Sequence, residues 1–327
     1  MTIPGSMILT DRAVKGIYYQ HQENKNYDAY VNMLAQVVPT DQPNGEMFPM
    51  LSPVAQFSED FTIAKLNDLI LQGKIFIKPS SFGTGFKTTL DDWEFDKTGQ
   101  IQVRIQDIAA QDMAHKFQLA MDAINAGSTT LSYEGVAARY FFDTGHVEGD
   151  SGTQSNKITY DSVSTTAPTA AEMAAAIQEN IQKMYSFVNM HGTPMNETAQ
   201  NWALIIPTQF WNSTIAALNN PNITIGGQST TNTLAVAQGT LRGDSGYNIT
   251  VMKSARLNTA FASKFVIVRT DSPVKPLIMT ELRNTRIVAQ TPADQKAVEE
   301  NQCHVLARNT RGTGLGLWQY ACETTFI

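Results

Sequence analysis

Two long strand-like runs, separated by a short Pro/Gly-rich stretch, dominate the hydrophobic pattern of the first third of the chain. The first runs from Phe61, Ile63 and Leu66 through Lys74-Ile75-Phe76-Ile77-Lys78; the second leads from Phe86 to Gln100-Ile101-Gln102-Val103-Arg104-Ile105. In that last segment, alternation puts Ile101, Val103 and Ile105 on one face and polar residues on the other, the period of a half-buried strand. With 79–85 as its tip, the pattern predicts an extended hairpin over 57–106. A lone hairpin is marginal in water. It is therefore expected to lie on a neighbouring molecule, and deleting 79–85 is expected to leave the subunit folded.

Upstream, 10–36 is rich in Tyr, Asn, Gln and Lys, with Tyr18, Tyr27 and Tyr30 among its scattered anchors. Pro39, Pro43, Pro49 and Pro53 then keep the chain extended, because each disfavours helix at and before its position. Residues 1–56 read as an arm that draws stability from a partner. Downstream, Met113, Phe117, Ala120, Met121 and Ile124 follow helical spacing, which predicts a helix from an Asp107 N-cap to a stop at Gly127. Thr169-Ala170-Ala171-Glu172 is a capping box. It opens a helix whose apolar stripe is Met173, Ile177, Ile181, Met184 and Val188. A buried strand is predicted at 202–207 and a helix over 208–218. A polar surface loop over 219–233 follows, then strands at 249–252, 265–269, 277–279 and 304–308. Helices and strands in this irregular order define an α+β protein rather than a doubly wound sheet.

The net charge of −6 over 327 residues argues against a nucleic-acid binder, which needs a clustered Lys/Arg surplus to neutralise phosphates. It is compatible with a wall that DNA must not stick to. No run of 18 apolar residues suggests a membrane span. The N-terminus lacks a secretory pattern, and Cys303 and Cys322 are too few for a disulfide framework. A cytosolic product with reduced thiols is expected.

Candidate chemistry is thin. Asp143, His146, Glu148 and Asp150 share one loop and have metal-ligand character. The Gly-rich setting and the missing second histidine favour a solvated turn instead. Asp91, Asp92 and Glu94 read as a charged edge that resists uncontrolled strand pairing. Arg311-Gly312-Thr313-Gly314-Leu315-Gly316 lacks the Gly-Lys-Ser/Thr ending of a phosphate loop and reads as a turn where backbones approach closely. Cys303 and His304 are strand neighbours that point to opposite faces. No catalytic residue, metal or cofactor is assigned.

Several segments, in order, resemble the Mu-like phage major head (capsid) subunit, of the HK97-like capsid fold. They are Val37-Val38-Pro39-Thr40, the hairpin leading into Asp107-Ile108, and Phe141-Phe142-Asp143-Thr144-Gly145-His146. The helix from Thr169 before Leu204-Ile205-Ile206-Pro207, then Lys275-Pro276-Leu277-Ile278, then Gly314-Leu315-Gly316-Leu317-Trp318-Gln319-Tyr320-Ala321 complete the set. The resemblance implies an N-terminal arm over 1–56 and an extended loop over 57–106 that overlies an adjacent subunit. It implies a peripheral domain over 107–161 with a spine helix over 107–127, an axial domain over 162–291, and a return to the peripheral domain over 292–327. The implied activity is self-assembly into hexamers and pentamers of an icosahedral head around double-stranded DNA, in a virion assembled in the host cytoplasm.

On this resemblance Ile75, Phe76, Phe82 and Phe86 are the apolar anchors of the extended loop. Lys65, Lys74, Lys78 and Lys87 are its polar contacts, and Tyr18, Tyr27 and Tyr30 are contacts of the arm. The loop lysines raise an isopeptide cross-link, for which no carboxylate partner is assigned; non-covalent salt bridges are the plainer reading. No long charged segment precedes Thr10, so a separate scaffolding protein is implied. A portal, decoration or cement proteins and non-specifically contacted DNA are the further implied partners, with no membrane. An encapsulin-like nanocompartment shell and a soluble α/β enzyme are the alternatives.

Overall fold

A computed structural model describes residues 9–22, 27–51, 71–96, 98–131, 139–225, 227–239 and 246–327. Two sheets organise the chain. The first has five strands in the order Asn248–Ser254, Asn201–Pro207, Lys264–Arg269, Ala321–Phe326 and Lys157–Tyr160, mixing parallel and antiparallel pairs. Its central strands are apolar runs buried on both faces, as Trp202 to Pro207 shows. Helix Ala170–Tyr185 packs on it through Met173, Ile177, Ile181 and Met184. The expected capping box is present, with the Thr169 hydroxyl accepting from Glu172 N and the Glu172 carboxylate accepting from Thr169 N. The strands expected at 202–207, 249–252 and 265–269 and the helix at 208–218 all appear, within a residue or two.

The second sheet has four strands in the order Ala35–Pro39, Leu277–Gln290, Gln302–Leu315 and Ser80–Thr89. The 26-residue helix Gln100–Asn125 lies against it. Helix Asp11–Gln22 packs through Val14 and Tyr18 on both the start of that helix and strand Leu277–Gln290, and Tyr27–Leu34 packs further along the long helix.

Much of the expected hairpin is corrected here. Residues 100–105 form the first turns of the long helix, because Ile101 and Ile105 are four residues apart and begin a stripe continued by Ile108. Val103, between them, is 45% exposed. The helix starts seven residues before Asp107, which sits inside it and pairs with Arg104 at 3.0 Å. The Asp96 carboxylate does the capping: it accepts from Ile101 N at 2.9 Å and Gln100 N at 3.2 Å across a left-handed Gly99. The expected tip, 79–85, mostly belongs to strand Ser80–Thr89, whose whole length pairs with Gln302–Leu315. Deleting it would remove most of an edge strand of the four-stranded sheet.

The true hairpin is a separate two-stranded unit, Glu46–Leu51 with Leu71–Ile77, in antiparallel register. The strand expected at 61–66, with Lys65, lies outside the described residues. Nor is the arm independent, since Ala35–Pro39 is a parallel strand of the four-stranded sheet and the preceding helices pack on the long helix.

The expected domain borders do not follow the sheets. Leu277–Gln290 pairs with Gln302–Leu315 in the four-stranded sheet, while Lys157–Tyr160 and Ala321–Phe326 belong to the five-stranded one. Both strands of the 277–315 pair are 14 residues long, far longer than their apolar cores at 277–279 and 304–308 suggest. Within the expected 219–233 loop, Asn222–Ile225 and Gln228–Thr231 pair as a small hairpin.

Candidate interaction surfaces

The long helix carries a carboxylate on its apolar stripe. Asp112 follows Ile101, Ile105 and Ile108 in the i, i+4, i+7, i+11 series and is 4% exposed. Arg311, from the Gly-rich run at the chain's end, meets it: Nη1 donates to Asp112 Oδ1 at 3.0 Å. Its Nε donates to Glu281 Oε1 at 3.1 Å and Nη2 to the Thr285 hydroxyl at 3.0 Å. Tyr18 Oη, Thr285 Oγ1 and Asn309 Nδ2 donate to the same Asp112 carboxylate at 2.8, 2.6 and 2.9 Å. Burial alone would push Asp112 up, but the Arg311 charge and these three donors outweigh it and hold the carboxyl below its ordinary value. Burial and the neighbouring Asp112 charge push the Tyr18 phenol well up. Burial and the Arg311 charge push the His115 imidazole down. This network ties the first helix, the long helix and both 14-residue strands into one body.

A second buried cluster stands where a solvated turn was expected. His146 is 2% exposed and stacks on the Trp318 indole, with centroids 3.9 Å apart and planes within 6°. Glu148 accepts from Trp318 Nε1 and Gln319 Nε2, each at 2.7 Å. Burial drives His146 down to about 4. These side chains pin the loop to the segment before the last strand; no metal-type cluster occurs among the described residues.

The glycines of the Arg311–Gly316 run do mark close approach, but inside a strand. A Cβ on Gly312 would stand 2.9 Å from Ile77 Cγ2 and 3.1 Å from Lys78 O, and one on Gly314 would stand 2.6 Å from Ile77 Cδ1. Ile75 and Ile77 thus seat the separate hairpin on bare backbone. Alternation turns the other face outward, where Met47 and Phe76 form a cross-strand pair, 52% and 48% exposed.

The expected contact residues therefore divide. Phe76, Lys74 and Lys78 face outward on the hairpin. Ile75 is an internal anchor rather than a surface one, and Tyr18, with no exposed area, is a core residue of its own subunit. Phe82 packs edge-on against the His115 ring and Phe86 against the apolar cluster under the four-stranded sheet. Both belong to the body and not to a projecting loop. Lys87 is exposed on that sheet, and Tyr30 is 38% exposed near Phe117. The Tyr27 side chain lies outside the described residues. Met47 and Arg311 carried no expectation; an arginine inside a Gly-rich strand and an aspartate on an apolar helix stripe are the signals that point to the buried pair.

This arrangement of a long helix, two sheets and a separate two-stranded hairpin is the architecture of phage capsid subunits. It is similar over 90% of the chain to the mature capsid of bacteriophage PhiM1, at 12% identity, 86% coverage of that chain and a TM-score of 0.56. The capsid of the cyanophage P-SCSP1u gives 12% identity, 90% and 86% coverage and 0.51. A virus-like particle from Pyrococcus furiosus gives 8% identity, 96% and 98% coverage and 0.53. At such identities the likeness is one of fold, and the fold is HK97-like. No curated protein sequence matches the chain.

The chain matches, over residues 10–169, the family described as the Mu-like prophage major head subunit gpT. It is a major capsid protein of a tailed phage, a structural component of the virion that associates with further copies of itself.

Proposed function

We propose that the subunit forms hexamers and pentamers of an icosahedral head around double-stranded DNA, assembled in the host cytoplasm with a separate scaffolding protein and a portal. In this reading the four-stranded sheet with the long helix is the peripheral body, and the five-stranded sheet is the axial body. The Glu46–Leu51/Leu71–Ile77 hairpin is the loop that overlies a neighbour. One observation carries the reading: this hairpin is seated on the body only along its Ile75/Ile77 face while presenting Met47 and Phe76 outward. Burying that apolar pair on an adjacent copy contributes on the order of 2–4 kcal/mol of gross transfer energy per contact. Many such contacts close a shell because simultaneous loss of all of them is improbable. Lys74 and Lys78 flank the pair as its charged rim.

The test is negative-stain microscopy of the full chain co-expressed with its scaffold, beside a Met47→Ser/Phe76→Ser variant. The parent is expected to form closed particles containing DNA after packaging, and the variant to remain as soluble capsomers with an unchanged melting temperature. Closed, stable shells from the variant would end the clamp role. Shells that enclose enzymes and no DNA would end the genome-enclosing role.

A further inference from the structure

We infer that the outer face of the four-stranded sheet receives the acidic tip of a second copy of this chain, a contact that rests on the capsid reading above. The face is cationic in a protein whose net charge is −6. Arg286 and Arg308 stand directly opposite each other in the antiparallel pair, and Arg283 lies just beyond the bulge. Like charges in that position destabilise a sheet. All three are exposed, and none has a carboxylate partner among the described residues.

Between them runs a groove of about 990 Å³, floored by Val288 and Leu306. Its third strand is stripped of side chains at the outward positions Gly83 and Gly85, which pair with Arg308 and Leu306. The Arg308 side chain lies across Gly83, whose added Cβ would touch its Cγ at 3.5 Å. Exposed guanidinium groups without a carboxylate partner among the described residues, set around an apolar floor, suit an acidic peptide segment with one apolar side chain.

The chain carries such a segment. At the far end of the same sheet, helix Leu90–Glu94 presents Asp91 and Asp92, with Glu94 partly exposed and Phe95 68% exposed just after it. Helix Gln295–Glu300 adds Glu299 and Glu300 beside a 62% exposed Val298, and Lys296 is the one cation of these two helices. Arg308 is six residues along the strand from Gln302, so groove and tip are roughly 20 Å apart. They cannot satisfy each other within one subunit. Tip into groove is a head-to-tail contact, the kind that closes a ring when the rotation between copies allows it.

The test is a charge swap in the full chain, read by sedimentation and microscopy. Arg308→Glu puts a carboxylate opposite Arg286, so the free subunit is expected to melt at or above the parent temperature. Its assembled fraction is expected to fall at least tenfold. Adding Asp91→Arg/Glu94→Arg is expected to restore assembly. Normal assembly by Arg308→Glu, or no recovery in the combined variant, overturns the inference while leaving the capsid reading intact. If the parent itself forms no shells, both fall together. Duplex DNA binding by the free subunit that Arg308→Glu abolishes, with assembly unchanged, reassigns the groove to nucleic acid and likewise overturns the inference.

Discussion

The two sheets are held together by different physics. The centre of the five-stranded sheet is apolar: Trp202, Leu204, Ile205, Ile206, Phe265, Val266 and Ile267 have no exposed area, and the helix on it contributes Met173, Ile177, Ile181 and Met184, with the buried Asn180 donating to Cys322 O and Thr324 Oγ1. The five-stranded sheet sets Glu323 with Lys157 and Lys264 beside that apolar centre, whereas the four-stranded sheet places Arg311, Asp112 and Glu281 at its own centre and relies on glycines where the hairpin crosses it. An apolar core is tolerant of volume-conserving exchange. A buried ion cluster is all or nothing, because losing one member strands the others in low dielectric.

The sharpest way to break the contrast is to truncate each centre. Arg311→Ala is expected to destabilise the subunit by about 3–5 kcal/mol, since it leaves Asp112 buried without that cation and Glu281 with Lys116 at 3.8 Å. Trp202→Ala is expected to cost about 3–5 kcal/mol through its cavity. The two differ in rescue. Arg311→Met with Asp112→Leu and Glu281→Leu is expected to recover most of the loss in urea titration. Failure of that rescue would mean the cluster contributes more than satisfied charge.

Acid separates two buried sites. His146 is held down at about 4 against an ordinary 6.5, so its neutral form is favoured by folding. That contribution is complete above 6.5 and is lost as pH falls from 6.5 to 4, up to about 3 kcal/mol. Asp112 is likewise held down, and its contribution is lost only as pH falls below the ordinary carboxylate range near ~3.9 and through its folded value. Melts between pH 7 and 5 are therefore expected to show a slope that His146→Gln reduces, the remainder coming from the similarly depressed His115.

Smaller effects probe the hairpin seat and the helix starts. Gly312→Ala crowds Ile77 and the Lys78 carbonyl and is expected to cost about 1–3 kcal/mol, with faster amide exchange in Leu71–Ile77. Asp96→Ala and Thr169→Ala each remove an N-terminal cap and are expected to cost about 1 kcal/mol in thermal melts. An effect of Asp96→Ala below a few tenths would mean that packing alone positions the long helix.

Much of the five-stranded half was legible along the chain. Its central strands are continuous apolar runs and its helix has both a capping box and an apolar face interrupted at Asn180, so local pattern and tertiary role largely agree. The other half was misread where one pattern serves two structures. Ile101 and Ile105 satisfy both period two and period 3.6, and only Asp96 and Gly99, which carry no apolar signal, decide for helix. The Ser80–Thr89 strand carries Phe82 and Phe86 inward but glycines outward, and so resembled a tip.

By itself the sequence determined the α+β class, the apolar centre of the five-stranded sheet with its helix, and, through ordered motifs, the resemblance to the capsid family; these follow from contiguous residues. Tertiary structure alone decided which segments pair as the separate hairpin and where it is seated, since that depends on Gly312 and Gly314 lying under Ile75 and Ile77, more than 230 residues away along the chain. It alone placed Arg311 beside Asp112, |i−j| 199, and Trp318 over His146, because charge pairing and ring stacking between distant segments leave no periodic trace.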